Sequence, residues 1–202
     1  MKTIVRTHAL GILCLVLSLV QTTAAQTHTA NLAPLENPGD VERAALGKVG
    51  FLVGEWEGEG WSLNESAQRV KFWIKEVYRY RGNKDLLDME GRFADILPDG
   101  KTAPEDYALG ILFYDRLSNE YRMWHYSSDG TVFTIKMDVD VKARTAQYTR
   151  KSARGDVSKF SLVVGLDGVW ISKIEILQPD NSWLKVLEFR MKRISDSPVS
   201  RT

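Results

Sequence analysis

The sequence predicts an all-β fold: a single up-and-down antiparallel β-barrel of about ten strands, preceded by one short helix. After Gly47, apolar and polar residues alternate with the period of two that is typical of half-buried strands. Turn-forming residues interrupt this alternation at short, regular intervals. A one-faced sheet of this length leaves two unpaired edges unless it closes, so we expect a barrel with an internal cavity. A two-layer sandwich with a filled core is the alternative.

The N-terminus has the layout of a secretory signal peptide. Lys2 and Arg6 precede an apolar stretch, residues 9–20, and small or polar residues then lead to Ala25. The apolar stretch is shorter than the roughly 20 residues that cross a membrane, which disfavours an uncleaved anchor. We therefore expect cleavage after Ala25 and a periplasmic or secreted protein that keeps no stable membrane anchor.

Composition narrows the classes of partner. Removal of residues 1–25 takes Lys2 and Arg6 away and leaves 25 basic against 26 acidic residues. A nearly neutral chain has no general electrostatic attraction to nucleic acid or to an anionic membrane, so we expect neither as a partner. The only cysteine, Cys14, lies within the signal peptide. Burial rather than disulfide formation must then stabilise the mature protein.

The segment before the barrel predicts a leader and one helix. Residues 26–39 are polar and contain Pro34 and Pro38, which is typical of a flexible leader. Asp40 is expected to cap a helix that runs to Leu46 and ends at Gly47. The barrel domain is expected to cover residues 40–193, with a C-terminal tail at 194–202.

Nine turn signals divide the rest of the chain into strands. They fall at residues 64–66, 82–84, 98–100, 117–119, 128–130, 142–144, 154–156, 167–168 and 179–181. Because no repeat of fixed period and no second domain accompany them, we expect all the strands to belong to one barrel.

The first strand contains the most informative pattern. Trp56, Gly58 and Gly60 share one face of it, and glutamates alternate with them on the other. Glycine is unfavourable inside a strand unless the sheet bends sharply or another group approaches the backbone closely. We therefore expect Trp56 to face the interior, near the closed end of the barrel, and one of these two reasons to apply at the glycines.

The pattern Gly54-x-Trp56-x-Gly58-x-Gly60, after a short helix and before alternating strands, resembles the DUF1579 family of exported bacterial proteins. Their barrels are calycin-like and similar to those of the nitrobindin and heme-binding group. That resemblance implies a heme held by a histidine near the last strands. This chain has no histidine between Leu162 and Arg193, so the heme-ligand role does not transfer by position.

Several apolar and polar side chains are candidates for lining the cavity and contacting a ligand. They are Trp56, Phe72, Glu76, Tyr78, Met89, Phe93, His125, Phe133 and Met137. The same residues would also suit a plain core.

His125 and Glu76 are the two candidates with acid-base chemistry. Both faces of the strand around His125 carry aromatic residues, so His125 is either an interior ligand, a weak candidate for binding heme, or a surface histidine. Glu76 interrupts an apolar strand face and would be functional if it points inward. A one-residue shift of register would turn it outward instead.

The sequence therefore predicts an exported barrel that binds a small apolar molecule and requires no cofactor, and it favours a binding protein over an enzyme. It contains none of the nucleophile, zinc-protease or phosphate-loop motifs of common enzymes. Two alternatives stay open: a heme-dependent or acid-base enzyme that uses His125 or Glu76, and an interaction module of the cell envelope.

Overall fold

A computed structural model of the chain describes residues 39–152 and 155–196. They fall within one compact unit, Glu36–Thr202. The predicted signal peptide and nearly all of the predicted leader lie outside the described residues. None of the helices in these ranges is long and apolar enough to cross a membrane.

The described chain folds into one helix, one 3₁₀ turn and ten strands. Helix α1 spans Asp40–Lys48, and the 3₁₀ turn spans Gly50–Leu52. The strands are β1 Gly54–Leu63, β2 Arg69–Arg81, β3 Leu86–Asp95, β4 Asp106–Asp115, β5 Glu120–Ser127, β6 Val132–Asp140, β7 Thr145–Lys151, β8 Val157–Val164, β9 Val169–Leu177 and β10 Trp183–Ser195.

The strands form the predicted closed antiparallel barrel. Each strand pairs with the next one along the chain, and β10 pairs with β1 to close the sheet. Each predicted turn signal falls in a connection between two consecutive strands. The barrel is therefore confirmed, and the sandwich alternative is wrong. Strand β10 continues to Ser195, past the predicted end of the domain at Arg193.

The short helix is confirmed, but its predicted boundaries are wrong. Gly39, with φ 100°, is the N-cap, no side chain of residues 39–152 or 155–196 caps the helix, and Asp40 is its first residue. The helix continues through Gly47 to Lys48. The reason is packing, because Leu46, Val49 and Leu52 are all buried against the barrel and keep the chain turning into the 3₁₀ segment.

Helix α1 and the 3₁₀ turn cover one end of the barrel, which we call the closed end. The Tyr80 hydroxyl donates to the carbonyl of Leu46 at 3.0 Å, and the Tyr121 hydroxyl donates to that of Ala45 at 2.7 Å. Carbonyls in the last turn of a helix lack partners within the helix, and each tyrosine supplies one; the carbonyl of Leu46 also accepts from the N–H of Val49 at 3.1 Å. The barrel wall thereby holds the helix in place.

The glycines of β1 lie where the backbone of β10 approaches closely. A Cβ atom at Gly58 would lie 1.8 Å from the carbonyl oxygen of Arg190, and one at Gly60 would lie 2.5 Å from that of Glu188. No side chain fits at those distances. Of the two predicted reasons for glycine here, the structure supports the approach of another backbone.

The contact between β6 and β7 is the weakest in the barrel. Their ladder contains three residue pairs, from Asp138–Gln147 to Asp140–Thr145, within the described residues. Beyond them, side chains rather than backbone hydrogen bonds bridge the strands. The guanidinium of Arg150 lies 4.7 Å from the ring centre of Phe133. We call this unpaired stretch the β6–β7 slit.

Candidate functional site

The barrel encloses a cavity of about 570 Å³, to which all ten strands and Leu52 of the 3₁₀ turn contribute. Its lining reaches the exposed residues Asp95 and Asp129 at the end opposite α1. The cavity therefore opens to solvent at that end, which we call the mouth. Most of its wall is apolar, and the volume lies in the range typical of small-molecule sites.

All of the predicted lining residues except Trp56 border this cavity. Those that do are Phe72, Glu76, Tyr78, Met89, Phe93, His125, Phe133 and Met137. Strand alternation brings them together from β2, β3, β5 and β6. The sequence left open whether His125 and Glu76 point inward or outward. In the structure both side chains face the cavity.

Trp56 lies instead in the packed core of the closed end. Its side chain is fully buried, and its indole nitrogen donates to the carbonyl of Leu52 at 2.8 Å. The ring centre of Trp170 lies 5.1 Å away in an edge-to-face contact. Trp56 therefore belongs to the layer of side chains that seals the barrel beneath the cavity, and it is not a lining residue.

Glu76 is a carboxyl group inside this largely apolar space. Its Oε2 accepts a hydrogen bond from the Tyr78 hydroxyl at 3.0 Å. The carboxyl keeps some accessible surface because it borders the cavity. Desolvation by the surrounding protein nevertheless raises its pKa to about 7, and the hydrogen bond from Tyr78 has the opposite, smaller effect. At neutral pH the site can therefore hold a carboxylic acid or a carboxylate.

Space beside Glu76 comes from small residues on the next two strands. Gly91 pairs with Glu76 across β2 and β3, and Gly110 pairs with His125 across β4 and β5. Gly91, Ala108 and Gly110 all border the cavity. The wall next to the carboxyl group thus lacks the large side chains that fill a barrel of this size.

His125 lies near the mouth, in a stack of side chains. The ring centres of His125 and Phe133 lie 4.6 Å apart with an angle of 17° between the ring planes, and the guanidinium of Arg150 lies over the ring of Phe133. Burial lowers the pKa of His125, the Arg150 cation lowers it further and Asp129 opposes them. The Nδ1 atom is buried and has no hydrogen-bond partner in the part of the chain that the structure describes. At neutral pH the imidazole is therefore uncharged.

Sequence reasoning missed many residues that border the cavity, among them Tyr148, Arg150 and Phe160. Burial raises the pKa of Tyr148 to about 12, and the ring stacks on Phe160 with centres 5.0 Å apart. The signal was the alternation of Tyr148 and Arg150 along β7. It is weak because an arginine on an inward face contradicts the usual polarity of that face.

The described residues contain no group of three or more histidine, cysteine, aspartate or glutamate side chains that could hold a metal ion. His125 is the described imidazole that borders the cavity.

Comparisons with known proteins bear on the fold. No protein-family profile matches the chain, and no curated protein sequence matches it. Among solved structures, it resembles Rv2717c from M. tuberculosis with a TM-score of 0.55 and 13% identity, over 74% of this chain and 96% of that one. It also resembles the S-type phycobiliprotein lyase CPES from Guillardia theta, with a TM-score of 0.48 and 11% identity over 80% and 96% of the two chains.

At such low identity the likeness concerns architecture alone. The ten-stranded closed barrel and the similarity to Rv2717c together indicate that this chain has a calycin-like β-barrel fold.

Proposed function

We propose that this protein is an exported barrel that binds a small, largely apolar molecule in its cavity. One observation carries the proposal: the barrel keeps a space of about 570 Å³ that opens at one end and is walled mainly by apolar side chains. Protein interiors are normally close-packed, so a space of this size costs stability unless something fills it. An apolar occupant would recover much of that cost.

Binding is tested directly with a panel of fluorescent apolar probes and with native mass spectrometry of protein purified from its own host. We expect at least one probe to bind with a stoichiometry of one. Failure of every probe, with no co-purified molecule, would contradict the proposal.

A cavity-filling variant tests whether the probe binds inside the cavity. Ala108 borders it, so Ala108→Phe places a phenyl ring in the space and should weaken probe binding at least about tenfold, equivalent to about 1.4 kcal/mol. Leu109, the next residue on β4, is 40% exposed and points outward, so Leu109→Phe is the matched control. Equal loss in both variants would show that the probe binds elsewhere.

Export and family membership are further parts of the proposal. They are supported by the order of charges and apolar residues in positions 1–25 and by the Gly54-x-Trp56-x-Gly58-x-Gly60 pattern of the DUF1579 family. N-terminal sequencing of protein from a cell-envelope fraction should find Gln26 as the first residue. A chain that begins at Met1 in the cytoplasm would contradict export.

Heme binding through His125, with or without catalysis, is a second candidate use of the cavity. The observation in its favour is that burial and Arg150 lower the pKa of His125, because a metal ligand must be uncharged. The fit is partial, since the imidazole lies flat against Phe133. Titration with hemin should then produce a Soret band that is lost in His125→Ala. No band at stoichiometric hemin would reject this candidate.

A further inference from the structure

Glu76 is a buried carboxyl group with no basic partner among the described residues, whereas several outward-facing carboxylates of the barrel have one. Three outward glutamates lie within ion-pair distance of basic side chains: Glu55 and Lys75 at 3.1 Å, Glu90 and Arg79 at 3.0 Å, and Glu175 and Lys159 at 3.0 Å. In the part of the chain that the structure describes, Glu76 has one hydrogen bond, from Tyr78, and no ion pair. A charged group inside a protein is normally paired, so this carboxyl group is an exception.

The groups around Glu76 do not supply the missing charge. Its neighbours across the sheet are Trp56 on β1 and Gly91 on β3, neither of which ionises. Two titratable groups interact electrostatically with Glu76, namely the phenols of Tyr78 and Tyr148. Burial raises the pKa of both phenols. Both hydroxyls keep their protons at neutral pH.

The charges at the mouth interact with each other rather than with Glu76. Arg150 and Asp129 act in opposite directions on the pKa of His125. The pKa of Glu76 is determined by desolvation and by Tyr78. Among the described residues, the inner part of the cavity is therefore apolar apart from two phenols and one carboxyl group with no counter-ion.

We infer that the molecule bound in the barrel carries a protonated amine or another cationic nitrogen, which pairs with the carboxylate of Glu76 while its apolar body fills the cavity. This inference rests on the proposed function, because it names the polar group of the proposed ligand. The ammonium group would give Glu76 the counter-ion it lacks, and the aromatic rings that line the cavity would add cation–π attraction. Gly91 leaves the required space, because it presents no side chain opposite Glu76.

Three probes of equal chain length test the inference: octylamine, octanol and octanoate. At pH 8 octylamine is protonated, since its pKa resembles the value of about 10.4 for lysine, and Glu76 is largely ionised. By isothermal titration calorimetry we expect octylamine to bind at least about tenfold more tightly than octanol, equivalent to about 1.4 kcal/mol. Octanoate should bind more weakly than either.

Glu76→Gln keeps the size of the side chain and removes its charge. In this variant octylamine should lose its advantage and bind about as tightly as octanol, whose own affinity should change less than twofold. Glu59→Gln on the outer face of β1 is the matched control and should leave both affinities unchanged. Glu59 is exposed on the neighbouring strand.

The wild-type protein offers a test that does not depend on a variant's folding. Octylamine affinity should rise between pH 6.5 and 8.5 as Glu76 loses its proton, because octylamine stays protonated throughout. His125, with its lowered pKa, is already largely neutral over this range. Octanol affinity should stay constant.

The outcomes separate the inference from the function on which it rests. If octanol binds but octylamine binds no better, or if Glu76→Gln leaves the preference intact, the inference is wrong and the apolar-ligand proposal survives. Tighter binding of octanoate would also overturn it, since it would assign the polar group to Arg150 and His125 at the mouth. Failure of all three probes would contradict both.

Discussion

At the scale of single residues, Glu76 shows that a charge inside the barrel lowers the free energy of unfolding. Phe72, Ile74 and Tyr78 share its strand face and are apolar or aromatic. The unfolded chain would ionise this carboxyl near its ordinary pKa of 4.5, whereas the folded chain does so near 7. Between these values the folded state binds more protons than the unfolded state, so Glu76 makes the free energy of unfolding fall as pH rises.

Glu76→Gln should remove this pH dependence. At pH 8 the variant should be more stable than the wild type by up to about 3 kcal/mol, because a pKa shift of about 2.5 corresponds to that energy. The difference should shrink as pH falls toward 4.5. Urea unfolding of both proteins at pH 4.5, 6 and 8 measures it, and the comparison cancels the titration of other groups. A difference independent of pH would contradict the assignment.

The same residue illustrates how far a single sequence can lead. Alternation along β2 predicts the inward face, and Glu76 was identified because it interrupts that face. Whether it points inward depends on the register between β1, β2 and β3, since a one-residue slip would turn it to solvent. The strength of the pKa shift depends on atoms from other strands, which no local pattern contains.

At the scale of elements, the seams between strands differ in what holds them together. Strand β1 approaches β10 so closely that glycine is required at positions 58 and 60. Strands β6 and β7 separate after three residue pairs, and Arg150, Phe133 and Tyr148 bridge the slit with side chains. Because the slit borders the cavity, the barrel wall is weakest beside His125.

Gly58→Ala should disrupt the β1–β10 seam. The new Cβ atom would lie 1.8 Å from the carbonyl oxygen of Arg190, which belongs to the backbone and cannot rotate away. We expect a loss of about 3 kcal/mol or more in the free energy of unfolding, at the upper end of overpacking costs. Chemical denaturation followed by tryptophan fluorescence measures this loss.

Gly47→Ala is the matched control for that substitution. Gly47 lies in helix α1, where an added Cβ would meet no described atom within 4 Å apart from its chain neighbours and the backbone of the helix itself, and alanine is the better helix former. It should raise stability by about 0.5–1 kcal/mol. If Gly58→Ala were as stable as the wild type, the close approach of the two backbones would be wrong.

At the scale of the whole molecule, closure makes the first and last strands neighbours. Phe72 packs against Phe189 with ring centres 6.1 Å apart, and the guanidinium of Arg193 lies 4.4 Å from the ring of Trp56. Met191 on β10 is fully buried. The core therefore depends on residues from both ends of the described chain.

A chain that ends at Gln178 should fail to form a cooperative barrel. It would lack β10, so β1 and β9 would become unpaired edges and the closed end would lose Met191. We expect circular dichroism to show no sharp thermal transition and gel filtration to show an expanded or aggregated protein. A chain that ends at Asp196 retains all of β10 and should melt like the full-length protein. A cooperative transition without β10 would contradict this dependence.

The sequence alone determined the class of fold and the number of strands, and it identified eight of the residues that border the cavity as candidates, because alternation and turn chemistry are local properties of the chain. It did not determine that Trp56 packs beneath the cavity instead of lining it, that Arg150 points inward at the mouth, or that Glu76 lacks a counter-ion among the described residues. These properties depend on which atoms the other strands bring within a few ångströms, and strand register and barrel closure decide that only in the folded molecule.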